Sequence, residues 1–382
     1  LILTPSLASL PTTLDHRDTR IRNRHVDLLV NRRTADTLKL RSHIIQYIRS
    51  YLIAENFLEV QTPILADGAG GAAARPFITN ATEFPERLLS LRIAPEIWLK
   101  RLVLGGMDRV FEIGSVFRNE GLDATHNPEF TTCEFYKSFA DLEELIGMTE
   151  SLISGLAVHV NELISTRLTS LTAIDLPKFS LPFNRIEFIP GIEAALGHSL
   201  PDLSAKTAGA DLLTLFKTHS LPLPTSPTLP RLLDKLASIY LEPHCTTPTF
   251  ITHHPSCLAP LSKSFICPTT KQLVSARVEL FIEKSEMANM YEEENSPLEQ
   301  RRKFVEQARW KDEENEALVD ESYLEALEWG LPPTGGWGAG IDRICMLFTG
   351  AGRISDVLAF GSLRNVVGLG TSAVGDGKSD EN

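Results

Sequence analysis

The chain has 382 residues, 43% hydrophobic and 23% charged, enough for two or three cores at about 150 residues per domain. Its 37 Lys and Arg against 49 Asp and Glu leave a net −12, which argues against holding nucleic acid or anionic lipid by bulk charge and leaves only local contacts. No apolar run reaches the eighteen or so residues of a membrane-spanning helix, so no membrane partner is expected. Five cysteines without a C-x-x-C pair fit a reducing compartment better than a disulfide scaffold.

The opening LILTPSLASLPTT has neither an initiator Met nor the Arg content of a transit peptide, so the chain is expected to begin inside a longer or processed product. Leu14 to Arg49 then carries nine Lys or Arg against four Asp, readable as a solvated helix face with an extended arm or as an RNA-facing surface. Leu40, Ile44, Ile48 and Leu52 recur at helical spacing and predict an amphipathic helix over 35–52. Phe57 to Val60 reads as a strand stopped by Pro63. After a small-residue loop at 68–74, strand-like runs follow at 88–93, 109–113 and 130–136. Asp141 and Glu144 form a capping-box pattern, and Leu142, Leu145, Ile146, Leu152 and Ile153 give the next helix its buried side.

Between 177 and 247 the composition shifts to Pro, Leu, Ser and Thr, which predicts an inserted helical subdomain. Strand character returns at 248–252 and 273–283. Ser296, Pro297 and Glu299 then supply the N-cap, first helical position and reciprocal acid of a charged helix. The Gly-, Ser- and Asp-rich stretch 368–382 has little to bury and is expected to be disordered.

Three clusters carry chemistry. In the first, Arg118, Glu120, His126, Phe130 and Tyr136 lie on a loop between two strand runs, where Arg suits bidentate contact with phosphate or carboxylate and an aromatic ring can stack on a base. An ordinary hairpin with a surface Arg-Glu pair is the other reading. The second holds Glu279, Glu286, Asn289, Tyr291 and Glu293. On a strand the last three share a face, while Glu286 joins them only if the chain bends. Converging carboxylates there suit Mg²⁺ or an ammonium, or form an exposed acidic edge. The third, Gly335 to Phe348, reads as a Gly-rich turn before a buried helix that fixes Arg343 at its start, and it matches neither a P-loop nor a G-x-G-x-x-G fingerprint. His244, Cys245, His253, His254 and Cys257 match no usual zinc spacing, so no zinc is expected. Cys133 and Cys345 sit in apolar contexts that suit packing rather than nucleophilic catalysis.

In this order the clusters resemble the three motifs of class II aminoacyl-tRNA synthetases, and in detail the lysyl-tRNA synthetases, from about Asp18 to Arg364. Phe57-Leu-Glu-Val-Gln-Thr-Pro63 is similar to the first motif, at the family's dimer interface. Gly70 to Phe77, Arg92 to Arg101 and Glu286-Met-Ala-Asn289 favour the lysine enzyme over its aspartate and asparagine relatives. The resemblance implies an α+β fold, an antiparallel sheet flanked by helices with a helical insertion. It divides the chain into an arm at 1–34, where an anticodon-binding OB domain is absent or truncated, a catalytic domain at 35–176, the insertion at 177–247, the continued catalytic domain at 248–367 and the tail.

It further implies ATP-dependent activation of L-lysine and its transfer to tRNA(Lys), by a homodimer. Arg118, Glu120, His126, Phe130, Glu279 and Arg343 would hold ATP, with Arg118 and Arg343 catalytic, and Glu279 and Glu286 would hold Mg²⁺. Gly71 and Glu96 would take the α-amino group, Asn289 the carboxylate, Tyr291 the aliphatic stem, and Glu293 with Tyr136 the ε-ammonium. Thr125 replaces a usual basic residue, Glu292-Glu293-Glu294 carries extra acid, and Phe360-Gly361 replaces a usual Phe-Pro. That ending resembles organellar fungal-type enzymes and points to mitochondria, with the cytoplasm as the alternative. The two other readings are a truncated paralogue that ligates a lysine-type amino acid to a protein such as an elongation factor, and a non-catalytic pseudo-synthetase.

Overall fold

The computed structural model describes residues 9–68, 70–71, 74–308 and 320–367. The stretch 368–382, expected to be disordered, lies outside them. The main sheet has eight strands, in chain order β1 (Leu58–Glu59), β2 (Arg109–Phe117), β3 (Glu129–Ser138), β4 (Asn184–Glu187), β5 (Thr249–Thr252), β6 (Arg277–Ile282), β7 (Ser285–Glu292) and β8 (Thr334–Gly340). Their spatial order is β1-β2-β3-β8-β7-β6-β5-β4. The pairs at the two ends, β1 with β2 and β4 with β5, are parallel, and all pairs between them are antiparallel. The run expected at 88–93 forms instead part of a strand at Phe84–Leu91 in a separate three-stranded sheet.

One face of the main sheet is covered by three helices. The first, α1 (Arg32–Ala54), buries Leu40, Ile44, Ile48 and Leu52 completely, as their spacing predicts. Packed beside it is α2's successor in sequence, the long helix at Leu142–Thr166, while α2 itself (Glu96–Leu104) lies against β2 and β3. We number that long helix α3. Its Asp141 cap accepts a hydrogen bond from the Glu144 amide at 2.9 Å. Three helices of the insertion follow, α4 (Phe188–Leu196), α5 (Ala208–Thr218) and α6 (Leu229–Tyr240), which enclose an apolar cluster of their own around Ile192, Leu212, Phe216, Leu232 and Leu236. The stretch 177–247 also supplies β4 to the main sheet. Beyond it come α7 (Pro297–Ala308), α8 (Glu321–Leu327) and α9 (Ile341–Thr349), and α9 completes the face begun by α1 and α3.

The basic stretch is helical where described, at Arg17–Arg22 and Arg24–Val30, rather than an extended arm. Much of its charge is engaged internally. Arg20 and Arg24 pair with the buried Asp27 at 2.7 and 3.0 Å, and Arg24 also donates to the carbonyls of Leu358 and Ala359, both at 2.9 Å. Burial pushes the Asp27 carboxyl up, but hydrogen bonds from Asn31 and Arg20 outweigh it and hold it below its usual range.

A buried ion pair ties the segment after β1 to the sheet. Arg92 and Glu112, 5% and 4% exposed, face each other, Glu112 also accepts from the Thr62 amide at 3.0 Å, and Arg92 donates to the Ser115 carbonyl at 2.9 Å. Removing one partner of such a pair strands the other charge. Glu112→Ala is therefore expected to lower unfolding stability by about 3–5 kcal/mol, read from the midpoint and slope of urea denaturation.

Candidate active site

The strand pleat sends alternate residues to opposite faces, and β8 uses this alternation strictly. Trp337 and Ala339 turn into the core, where Trp337 stacks on Phe135 with centroids 5.0 Å apart. The other face carries Thr334 at its start and then Gly336, Gly338 and Gly340, and these three glycines line a cleft of about 2410 Å³. The expected Gly-rich turn is thus a central strand, because its glycines alternate with apolar residues and pair on both edges.

Cross-strand register sets functional side chains in rows over this floor. One row runs Tyr136, Gly336, Tyr291. The next runs Glu134, Gly338, Asn289, Glu279. Glu286 joins the same face through a bulge, since Leu280 pairs with Ala288 but Phe281 pairs with Glu286, leaving Met287 as an extra residue. That is the bend the sequence required.

At one end of the cleft the Arg118 guanidinium lies 5.2 Å from the Phe130 ring centroid, and its Nε donates to the Ile93 carbonyl at 3.2 Å. Glu120 lines the same wall. Arg343, in the first turn of α9, pairs with Glu286 at 3.2 Å and donates to His126 Nε2 at 2.9 Å. His126 Nδ1 in turn lies 2.8 Å from Asp123, so the tautomer with its proton on Nδ1 satisfies both contacts. Thr125 closes the same turn, its amide donating to Asp123 at 2.7 Å. Burial pushes the Asp123 carboxyl up, but the Thr125 amide and His126 outweigh it and hold it at about 2.

Glu279 is flanked by Arg277 and by His254 Nε2, the latter at 3.1 Å. Burial pushes its carboxyl up, yet the Arg277 guanidinium and the His254 ring prevail and hold it at about 2. Arg277 Nε also donates to Asn289 Oδ1 at 2.9 Å. Among the described residues no group of three or more His, Cys, Asp or Glu is arranged to hold a metal ion. An ionised Glu279 with Glu286 on the same cleft face fits Mg²⁺ of the kind that completes its shell with phosphate oxygens and water rather than an all-protein cage.

At the other end Gly71, with φ of 92°, brings its backbone against Glu96, where an added Cβ would sit 3.0 Å from Glu96 Cβ. Glu96, 4% exposed, accepts from Tyr291 Oη at 2.7 Å. Glu293 shares this face of the sheet but is wholly buried at the closed end of the cleft, in an ion pair with the buried Lys100, which also pairs with Glu96. The three consecutive acids there have separate surroundings. Glu292 accepts from the Leu142 amide at 3.2 Å, Glu294 pairs with the buried Lys303 at 2.7 Å, and Glu293 pairs with Lys100. Glu134 sits beside them, its carboxyl pushed up to about 8 by burial and by the Glu96 carboxylate.

Sequence reasoning did not assign Lys100, Glu134, Arg277 or His254. Glu134 and Arg277 were within reach, two positions from Tyr136 and Glu279 on the same strands; Lys100 lies one helical turn from Glu96. His254 carried no signal for its actual role, since its contact with Glu279 arises from strand pairing. Gly336 is the tightest point. An added Cβ would lie 1.9 Å from Glu293 Oε1 and 2.7 Å from Tyr136 Cε1, so one of them has to move. Gly336→Ala is expected to weaken binding of an amino acid with a cationic side chain by about 10²-fold and to leave ATP binding unchanged, both read by titration calorimetry.

Comparison with known proteins agrees with this geometry. The family described as tRNA synthetases class II (D, K and N) matches residues 16–364. Lysine–tRNA ligase cla4 of Cladosporium cladosporioides is 41% identical over 374 residues, covering 96% of this chain and 62% of the relative. The mitochondrial lysine–tRNA ligase of Schizosaccharomyces pombe is 43% identical over 373 residues, covering 96% and 68%. A probable cytoplasmic lysine–tRNA ligase of Encephalitozoon cuniculi is 42% identical over 380 residues, covering 95% and 73%. The chain therefore spans 62% of the length of the first of these relatives and somewhat more of the others. Motifs, fold and relatives agree that the chain belongs to the class II tRNA synthetases of the D, K and N group, in its lysine–tRNA ligase branch.

Proposed function

We propose that this site activates L-lysine with ATP to lysyl-adenylate and transfers the lysyl group to the 3′ end of tRNA(Lys). The observation that carries this reading is the buried carboxylate of Glu293 under Tyr136 and Tyr291, on the same sheet face as Asn289, Glu279 and Glu286. An acid so buried favours a ligand that brings its own cation, because a neutral side chain leaves it poorly paired.

Lysine's own carboxylate attacks the α-phosphorus, and pyrophosphate leaves. A hydroxyl of the terminal tRNA ribose then attacks the activated carbonyl, and AMP leaves. The protein supplies no nucleophile. Arg118 neutralises charge at the α-phosphate and the substrate carboxylate, Phe130 stacks on adenine, and Arg343 reaches the terminal phosphate, with Glu120 and His126 completing the ATP site. Gly71 and Glu96 take the α-amino group, Asn289 the carboxylate and Tyr291 the aliphatic stem. Glu279 and Glu286 would hold Mg²⁺, which supplies charge neutralisation on the phosphates when bound.

The same reading includes a homodimer. It is supported by exposed apolar side chains at Leu58, Ile64, Leu65, Ile78, Phe84 and Leu88, on the strand of the first motif and the small sheet next to it. A mitochondrial home is supported by the organellar form of the ending and by the relative named mitochondrial in S. pombe, while relatives named cytoplasmic support the alternative.

ATP–pyrophosphate exchange with each of the twenty amino acids, followed by charging of total tRNA, tests the activity. Exchange with lysine and charging are expected, and Arg118→Ala should reduce exchange by about 10²–10³-fold. Exchange with no amino acid overturns the reading; lysine exchange without charging points instead to a protein-modifying paralogue. Sedimentation of the purified chain checks the dimer.

A further inference from the structure

The amino-acid end of the cleft contains an ammonium before any ligand arrives. Lys100 is wholly buried on α2, forms ion pairs with Glu96 and Glu293, and lies 5.9, 5.7 and 5.8 Å from the ring centroids of Tyr136, Tyr291 and Tyr323. Three rings and two carboxylates around one ammonium are what a receptor for a cationic side chain would present. Here the occupant belongs to the chain itself.

The two oxygens of Glu293 have different surroundings. Oε2 faces Lys100. Neither oxygen has a hydrogen-bond partner among the described residues, and Oε1 points to the spot where a Cβ on Gly336 would sit, 1.9 Å away. Gly336 lines the cleft, so the open oxygen is aimed at its floor. A buried acceptor without a partner is rare and costly, which marks this position as one completed by a ligand donor.

Resting on the lysine-activation reading, we infer that Lys100 is a positioning residue for the substrate's side-chain ammonium: it pairs with Oε2 of Glu293, holds that side chain in place, and thereby presents Oε1 to the ligand. Facing Lys100 and Glu293 are Glu96 from α2, Glu134 and Tyr136 from β3, Tyr291 from β7 and Tyr323 from α8, while β8 contributes no titratable group. Three carboxylates thus surround one resident cation. Burial drives the Lys100 ammonium toward neutrality, but the Glu293 and Glu96 carboxylates outweigh it and keep it charged. For Glu293, burial pushes the carboxyl well above its usual range, and the Lys100 ammonium opposes that push without cancelling it.

Without Lys100, Glu293 loses the cation that opposes its protonation and holds a proton to higher pH than in the parent, and an incoming ammonium must displace that proton. The sign follows. A carboxyl whose pKa is raised is protonated at low pH, so lysine binding to a variant lacking Lys100 improves as pH rises, by up to about tenfold per pH unit while the group titrates.

The experiment is titration calorimetry of L-lysine into the parent and Lys100→Met between about pH 6 and about pH 8.5, in buffers of different ionisation enthalpy. The expected result is a ratio of variant to parent Kd that falls at least tenfold across this range, with about one more proton released per lysine bound by the variant. A ratio constant with pH, or equal proton release, overturns the inference and leaves Lys100 as a packing residue. Lys100→Gln, which keeps a hydrogen-bond donor without the charge, is expected to show the same pH slope, and it provides the measurement if the Met variant fails to bind ATP or to melt cooperatively. A parent chain that binds no lysine at any pH overturns the proposed function instead, so the two failures are distinct.

Discussion

Everything in the cleft depends on β8 having no side chains on one face from Gly336 to Gly340. With Gly336, Gly338 and Gly340 on the cleft side, the sheet becomes a trough whose walls are the side chains of β3 and β7. Any residue larger than glycine at 336 would meet Glu293 and Tyr136. The opposite face holds Trp337 against Phe135, and Trp337 Nε1 donates to Thr149 Oγ1 at 3.0 Å on α3. A single seven-residue strand thus fixes the floor of the site and anchors it to the long helix behind. The same alternation explains why the chemistry arrives in pairs two residues apart, as Glu134 with Tyr136, Asn289 with Tyr291, and Arg277 with Glu279.

Local patterns were legible in the sequence where one period governed them. The spacing of Leu40, Ile44, Ile48 and Leu52 needs only helix geometry, and the structure buries all four. Likewise the caps at Asp141 and Ser296 hold their helices by contacts within three residues. The Gly-rich stretch before Arg343 was different. A strand with glycine at every second position lacks the β-branched and aromatic residues that signal strands, and only pairing with β3 and β7 makes it one. The site residues were named from motif resemblance, and their mutual geometry was not visible. Register decides that Asn289 faces Glu279 and that a bulge at Met287 turns Glu286 to the same side. No local pattern announces such a bulge.

A net charge of −12 also gave no hint of how the charges are arranged. The basic stretch near the front looked available to an external polyanion, yet Asp27, Asp36, Asp342 and Glu59 engage Arg20, Arg24, Arg32, Lys39, Arg41 and Arg49. The acids that matter are instead gathered at the cleft and separated by function. Glu279 is surrounded by positive groups that keep it ionised, whereas Glu134 and Glu293 are pushed toward protonation by burial and by neighbouring acids.

That contrast has a physical consequence for selectivity. A carboxylate already satisfied by Arg277 and His254 gains little from one more ammonium. Glu293 has two buried oxygens without a hydrogen-bond partner among the described residues and other carboxylates nearby, so an added cation relieves both repulsion and desolvation. The two ends of one cleft therefore differ in electrostatic character, Glu279 held ionised among cations and Glu293 buried among acids beside Lys100. Their separation along the sheet is set by the row spacing between Glu279 on β6 and the end of β7. A ligand that joins a nucleotide to an amino acid with a cationic side chain matches both ends at once, and a fragment carrying only one of them leaves the other end's charges to solvent.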